Sequence, residues 1–448
     1  MKKLLLHRMF ITVSVIACLN LISFSASAFS GTGSGTYVDP YQITSASQLA
    51  EVKNDLASSY KLMADIDLTD WITTNSPTVG WVGIGWGTSE GQYFAGNLDG
   101  NGHAITGIWT NATGACGLFG DAGGTVEIKN LGVVIASGKS IKSSQYVGGF
   151  VGYVTGGSVT ISSCYILGDV TATNTQVGAF IGWNNNATNT LTNCYAAGGT
   201  ITSAHDYAGG LIGLSMGSNC VTTITNCYVQ DNVVASGGGA AGIFELALYN
   251  SNTGTGAGIN ISISNCVTLM QSITATGSAS KIFVWNQGGT TTFTNNMGYD
   301  GTLVNGAVVS GSATDNNGLN QTSDQLSTQA TYSAWDFDNV WTLGNGLYPF
   351  PVLKNASLAN QPSTRPSYLP AVVTGINSTS ALKTKVYYNV QSGNILVQGK
   401  SLDEAVTVYD YQGRLLLKSR ESVLNISTFA KGIYLVNISG NTTKIIKN

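Results

Sequence analysis

SSCYILGDV (residues 162–170) and TNCYAAGGT (192–200) carry a Cys-Tyr pair at the same place in two otherwise different segments. Aligned on that pair, Leu131 in IKNLGVV, Cys164, Cys194, Cys227 in TNCYVQD, Cys266 in SNCVTLM and Met297 in TNNMGYD follow one another at 33, 30, 33, 39 and 31 residues. A second ladder runs in phase: GLFG (117–120), GGFVG (148–152), GAFIG (178–182) and GGLIG (209–213), with weaker copies at GIFEL (242–246) and KIFVW (281–285). Short β-branched and aromatic runs broken by Gly and Asn cannot bury an apolar face alone, so each unit must stack on its neighbours.

Parallel stacking places equivalent positions about 4.8 Å apart. Leu131, the four cysteines and Met297 are then expected to share one dry column in which the thiol serves as a small buried hydrophobe. The alternative is a disulfide framework, since six cysteines follow residue 28. Parallel rungs aim Cβ bonds the same way, farther apart than the ~3.8 Å a relaxed disulfide prefers. Cys220 with Cys227 is the first pair to expect if the framework reading holds.

The Gly-Leu-Phe-Gly and Gly-Gly-Leu-Ile-Gly segments, each with its Asn-Cys-Tyr strand, resemble the GLUG-motif repeats of secreted bacterial surface proteins over about residues 115–300. FAGNLDGNGHAITGI (94–108) is similar to the strand-turn-strand that opens such arrays, and WDFDNVWTLGNGLYPFPVL (335–353) to the segment that closes them. The fifth and sixth units depart from the pattern by losing the second glycine. The resemblance implies a surface β-solenoid, often adhesive, with no common catalytic residue.

Composition agrees with many short strands. Of 448 residues only 10% are charged and 56 are glycine, so Ser, Thr and Asn must supply most of the solvent-facing polarity. Lys2, Lys3 and Arg8 before an apolar run from Met9 to Phe24, then Ala26-Ser27-Ala28, predict an export leader over residues 1–28. The competing reading is lipoprotein anchoring at Cys18 in Val15-Ile16-Ala17-Cys18. No later stretch has the eighteen apolar residues of a membrane span.

The remaining chain is expected to be a parallel β-helix over residues 29–354, with its core at 60–300 and caps at 41–68 and 322–353. Ser45 and Gln48 predict a capping box ahead of a short helix that buries Leu49, Val52 and Leu56. Residues 355–374, with three prolines and no period, read as a linker. Residues 375–448 change to alternating hairpin strands, a small antiparallel β-sandwich. Charge changes with them: residues 29–372 hold 8 Lys and Arg against 19 Asp and Glu, and residues 373–448 hold 9 against 4. VTVYDYQGRLLLK (406–418) and FAKGIYLVNISGNTTKIIKN (429–448) resemble the C-terminal sorting domain of type IX secretion substrates in Bacteroidetes-like bacteria. Gly432, Tyr434, Val436, Lys444 and Lys447 match its closing motif, which implies the secretion machinery as a partner.

Chemistry is sparse. Residues 143–280 contain no Lys or Arg, which argues against nucleic-acid binding and against a uronate lyase. His103 and His205 have no metal-ligand spacing, and Asp99-Gly-Asn-Gly-His103 reads as a turn, so neither metal nor cofactor is expected. A hydrolase would have to use acids of the array, with Asp169 and Asp231 the pair at similar offsets from their cysteines. A binding module would use Trp81, Trp86, Tyr93, Trp109 and Trp183, whose faces can stack on sugar rings or on a host or surface protein. The competing reading buries most of these under the N-terminal loops. Non-catalytic adhesion or glycan binding is the reading preferred over hydrolysis.

Overall fold

The computed structural model describes residues 29–86, 92–248, 258–344, 347–370, 385–390, 392–398, 404–438 and 440–447. The predicted leader, Cys18 and the end of the predicted linker at residue 374 lie outside them. The chain divides into two compact units, one ending at Leu369 and the other beginning at Pro370.

The first unit is a β-solenoid of three parallel sheets, each coil adding one run of strand to each sheet. The first sheet is longest in mid-array, at Phe119–Lys129, Val151–Ser162 and Ile181–Thr192. The second holds the short Tyr165–Leu167, Tyr195–Ala197 and Tyr228–Val229 strands. The third includes Ser140–Gly148 and Asp169–Gly178. Helix α1, Ala46–Glu51, follows the first strand, Tyr41–Ile43: Ser45 Oγ accepts from Gln48 N at 3.3 Å and Gln48 Oε1 accepts from Thr44 N at 2.7 Å. Leu49 and Val52 are buried and Leu56 packs beside them.

The Asn of the Asn-Cys pair makes the corner between the first and second sheets. Asn130, Ser163, Asn193, Asn226, Asn265 and Asn295 have φ between 51° and 56°, the left-handed region that short polar side chains tolerate. The next residue turns inward. Cys164, Cys194, Cys227 and Cys266 are fully buried and unbridged, and burial pushes the Cys194, Cys227 and Cys266 thiols well up.

The column is more than apolar filling. Each thiol faces a carbonyl of the preceding coil: Cys164 to Ile128 O at 3.8 Å, Cys194 to Ile161 O at 3.5 Å, Cys227 to Leu191 O at 3.7 Å and Cys266 to Ile224 O at 3.6 Å. Leu131 heads the column, as expected, because Tyr165 pairs with Gly132. Met297 does not end it. Val267 pairs with Met297, so Asn296 takes the sixth place, donating from Nδ2 to Ile263 O at 2.7 Å and accepting from Cys266 N at 3.0 Å. An amide fits there because that position offers a donor site on the preceding coil.

Outside the second sheet, Tyr165, Tyr195 and Tyr228 stack at 5.3 and 4.8 Å with interplanar angles of 10° and 2°. Residues 322–369 cover this ladder, which corrects two expectations. The segment 322–353 lies along the side of the solenoid and not across its end: Trp335 Nε1 donates to Asn265 O, Trp341 Nε1 to Asn193 Oδ1, and Tyr348 Oη meets Tyr228 Oη at 3.0 Å. Residues 355–369 are no linker. Asn360 Nδ2 reaches Asp65 Oδ2 near the first coils at 2.8 Å, Tyr195 Oη donates to Gln361 Oε1 at 3.0 Å, and Tyr368 Oη returns to Leu269 O. The stacked tyrosines form an apolar face too large to leave in water, and this strap removes it.

The second unit has two antiparallel sheets. One comprises Lys385–Asn389, Asn394–Gln398 and Val423–Asn425; the other comprises Leu415–Ser419, Val406–Asp410, Gly432–Ile438 and Asn441–Lys447. Ile395, Val406, Val408, Leu424, Tyr434 and Val436 form its core.

Candidate functional site

The corner from the third sheet to the first is where the glycine ladder acts. Tyr146, Gln176 and Tyr207 stand there with φ of 56°, 59° and 65°. The second glycine of each motif packs against the preceding coil's corner: a Cβ on Gly182 would come within 2.5 Å of Val147 N, and one on Gly213 within 2.6 Å of Val177 O. Glycine is required because backbone meets backbone.

The residue after that glycine lies on the face away from the core, where Asp121, Tyr153 and Trp183 are half-buried and Leu214 and Leu246 are buried. Register makes Asp121, Tyr153, Trp183, Leu214, Leu246 and Trp285 one axial column on the first sheet. Tyr146 lies 4.7 Å from the Trp183 ring, and Tyr153 meets that ring edge-on at 5.2 Å. Asn185 Nδ2 donates to Tyr153 Oη at 2.6 Å. Asp121 accepts from Thr155 Oγ1 at 2.8 and 2.9 Å, and burial pushes its carboxyl up to about 6. At the far end Trp285 is 55% exposed.

Of the five aromatic candidates, Trp86, Tyr93 and Trp183 fall on this face. Trp86 lies over Gly120 and Gly114, and Tyr93 packs 3.0 Å from where a Cβ on Gly123 would sit. Trp81 does not. It is 2% exposed, and its Nε1 donates to Leu118 O at 3.1 Å, so it is a core residue. Trp109 is on another face, with the Lys139 ammonium 4.7 Å from its ring, in an open cleft of about 460 Å³ that Lys142 and Asp169 also line.

The paired acids are employed in coil stacking. Asp169 Oδ1 accepts from Thr200 N at 2.8 Å and Asp231 Oδ1 from Gly199 N at 2.7 Å, so both hold the coil between them. Burial raises Asp231 to about 7. Among the residues that sequence reasoning passed over are Tyr146, Tyr153 and Trp285. Tyr153 and Trp183 both directly follow the second glycine of their motif, and that shared offset was the available signal.

In the C-terminal unit Tyr434 and Val436 point into the core and Lys444 is exposed. Gly432 begins the strand that carries them. The Lys447 ammonium donates to Ile426 O at 2.8 Å, Ser427 O at 2.6 Å and Phe429 O, pinning the last strand to the preceding loop. Residues 385–448 match the family described as secretion system C-terminal sorting domain. This unit is a type IX sorting domain. Such a sorting domain implies interaction with the secretion machinery and indicates a secreted or cell-surface destination. No helix among the described residues is long and apolar enough to cross a membrane.

Other similarities concern the repeats and the fold. A "putative Gly-rich membrane protein" of Evansella cellulosilytica is 39% identical over 110 residues, 24% of this chain and 12% of that protein. "Halomucin" of Haloquadratum walsbyi is 32% identical over 151 residues, 32% of this chain and 2% of its own. The chain thus spans a small part of either relative. A crystal structure of a "putative immunoglobulin A1 protease" from Bacteroides ovatus superposes with a TM-score of 0.55 at 22% identity, covering 73% of this chain and 95% of that one. At that identity the likeness is one of fold.

Proposed function

We propose that the solenoid is an exported adhesion module that binds glycan chains along the outer face of its first sheet. The observation that carries this reading is the cluster of Tyr146, Tyr153 and Trp183 on that face, with Trp285 in the same axial register beyond the buried Leu214 and Leu246. Aromatic faces stack on the apolar faces of sugar rings, and the surrounding hydroxyls and amides, such as Thr155 and Asn185, offer the polar contacts. The resemblance to GLUG-repeat surface proteins supports the same reading, as does the sorting domain.

The test is a glycan-array screen followed by calorimetry on the full chain. Trp183→Ala is expected to weaken binding at least about tenfold, equivalent to about 1.4 kcal/mol. Trp109→Ala, on another face, should leave affinity unchanged. If no glycan binds, or if both variants bind as well as the parent, the reading is wrong.

A further inference from the structure

Glu245 stands where four earlier coils have glycine. Phe244 pairs with Ile212 and Leu246 with Leu214, which places Glu245 level with Gly213. The substitution is accommodated by the run Gly237-Gly238-Gly239 in the same coil: a Cβ on Gly239 would strike Glu245 Oε1, and one on Gly238 would strike Asp206 Oδ1. Gly238 and Gly239 thus leave an open depression of about 580 Å³, lined also by Asp206, Tyr207, Glu245, Leu246, Val284 and Trp285.

Glu245 is 3% exposed and its Oε2 has no hydrogen-bond partner. Its charged neighbour is Asp206, of the same sign, and burial with that neighbour pushes its carboxyl up to about 9. Tyr207, the other titratable group here, is pushed up by its own burial and by both acids. Among the described residues no Lys or Arg lines the depression, and His205, next to Asp206, packs its backbone against Gly237. Residues 143–280 contain no Lys or Arg, and the Lys281 ammonium is held elsewhere by Tyr299 O at 3.0 Å, Val309 O at 3.2 Å and Asn320 Oδ1 at 2.9 Å.

Two acids with no Lys or Arg against them among the described residues, an unpaired carboxyl oxygen and an exposed indole form a site suited to a positively charged group. An ammonium group would supply three donors to the carboxyls and a cation for the Trp285 face. We infer that this depression binds the ammonium group of an amino sugar within the glycan chain. The inference rests on the glycan-binding reading, because Trp285 stands in the axial register of Trp183, three coils on. Occupancy would favour the ionised form of Glu245, so binding should release a proton.

The experiment is calorimetry of the full chain with glucosamine oligomers at pH 6, where their amines are protonated, in two buffers of different ionisation enthalpy. N-acetylglucosamine oligomers and a lysine-rich peptide serve as comparison ligands. The expected result is binding of the glucosamine oligomer with release of about one proton, and at least tenfold weaker binding of the acetylated oligomer. Glu245→Gln should abolish the proton release and weaken the glucosamine oligomer at least tenfold, without altering affinity for a neutral glycan found on the array. Equal binding of both oligomers, or binding without proton release, overturns the ammonium site and leaves the glycan reading standing. Binding of the peptide alone overturns the amino-sugar assignment. If no glycan binds at all, both readings fall.

Discussion

Cys194 shows how a stacked fold uses a small side chain. Its sulfur touches Ile161 O at 3.5 Å and Thr192 O at 3.3 Å, and Cys227 Sγ accepts from Cys194 N at 3.4 Å, so each rung of the column is both packed and bonded. Serine keeps the donor. Cys194→Ser should therefore cost less than about 1 kcal/mol, and Cys194→Ala about 1–2 kcal/mol, in denaturant unfolding. The thiol should resist alkylation until the protein unfolds. A serine variant that is clearly the weaker of the two would show that burial of a polar atom outweighs the carbonyl contact.

At the scale of elements, the strap over the tyrosine ladder is the feature with the largest consequence. Gln361 joins it in three directions: Oε1 accepts from Tyr195 Oη at 3.0 Å and from Leu353 N at 2.8 Å, while Nε2 donates to Leu353 O at 3.0 Å and to Ala356 O at 3.1 Å. Leu369 is buried in the same cluster. Truncation after Leu369 should leave the melting temperature of the solenoid within about 2 °C of the parent. Truncation after Lys354 removes Gln361, Tyr368 and Leu369, and should lower it by several degrees, because a buried amide network and large apolar groups are lost together. Equal melting of both truncations in differential scanning calorimetry would show the last fifteen residues to be inert.

At the scale of the whole molecule, buried acids give stability a definite pH slope. Asp231 is raised to about 7 and Glu245 to about 9 by burial, each above its unfolded value, so the unfolded state sheds protons first as pH rises. Their contribution is full below about pH 4 and is lost progressively up to pH 7 for Asp231 and pH 9 for Glu245, at no more than about 1.4 kcal/mol per pH unit for each group. Unfolding measured at pH 5, 7 and 9 should thus show falling stability, and Glu245→Gln should flatten the interval from 7 to 9. An unchanged slope in that variant would show that Glu245 already ionises near neutrality. Delivery is argued at the same scale. Deleting residues 375–448 should leave a folded solenoid in the periplasm, assayed by fractionation, since that segment has its own core. Surface delivery of the truncated chain would show that sorting does not depend on this domain.

The repeat alone determined that the protein stacks: Asn-Cys and the two-glycine motif recur because left-handed corners and backbone-to-backbone contacts admit few residues, and those constraints act within one coil and its neighbour. The Tyr434 and Val436 strand was legible for the same local reason, through alternation. Register of the last coil was not, since Asn296 and Met297 both suit a buried place and only the pairing of Val267 with Met297 separates them. The outward column was half legible: Trp183 stood out as an aromatic, whereas its alignment with Tyr153 and Trp285 depends on bulges and loops that change the spacing between coils. The strap and the Glu245 depression were decided by tertiary structure alone. Tyr195 meets Gln361 across 166 residues, and Glu245 and Asp206 share a depression that glycines of the Glu245 coil leave open, arrangements that no local period encodes because they arise only when one finished surface covers or leaves open another.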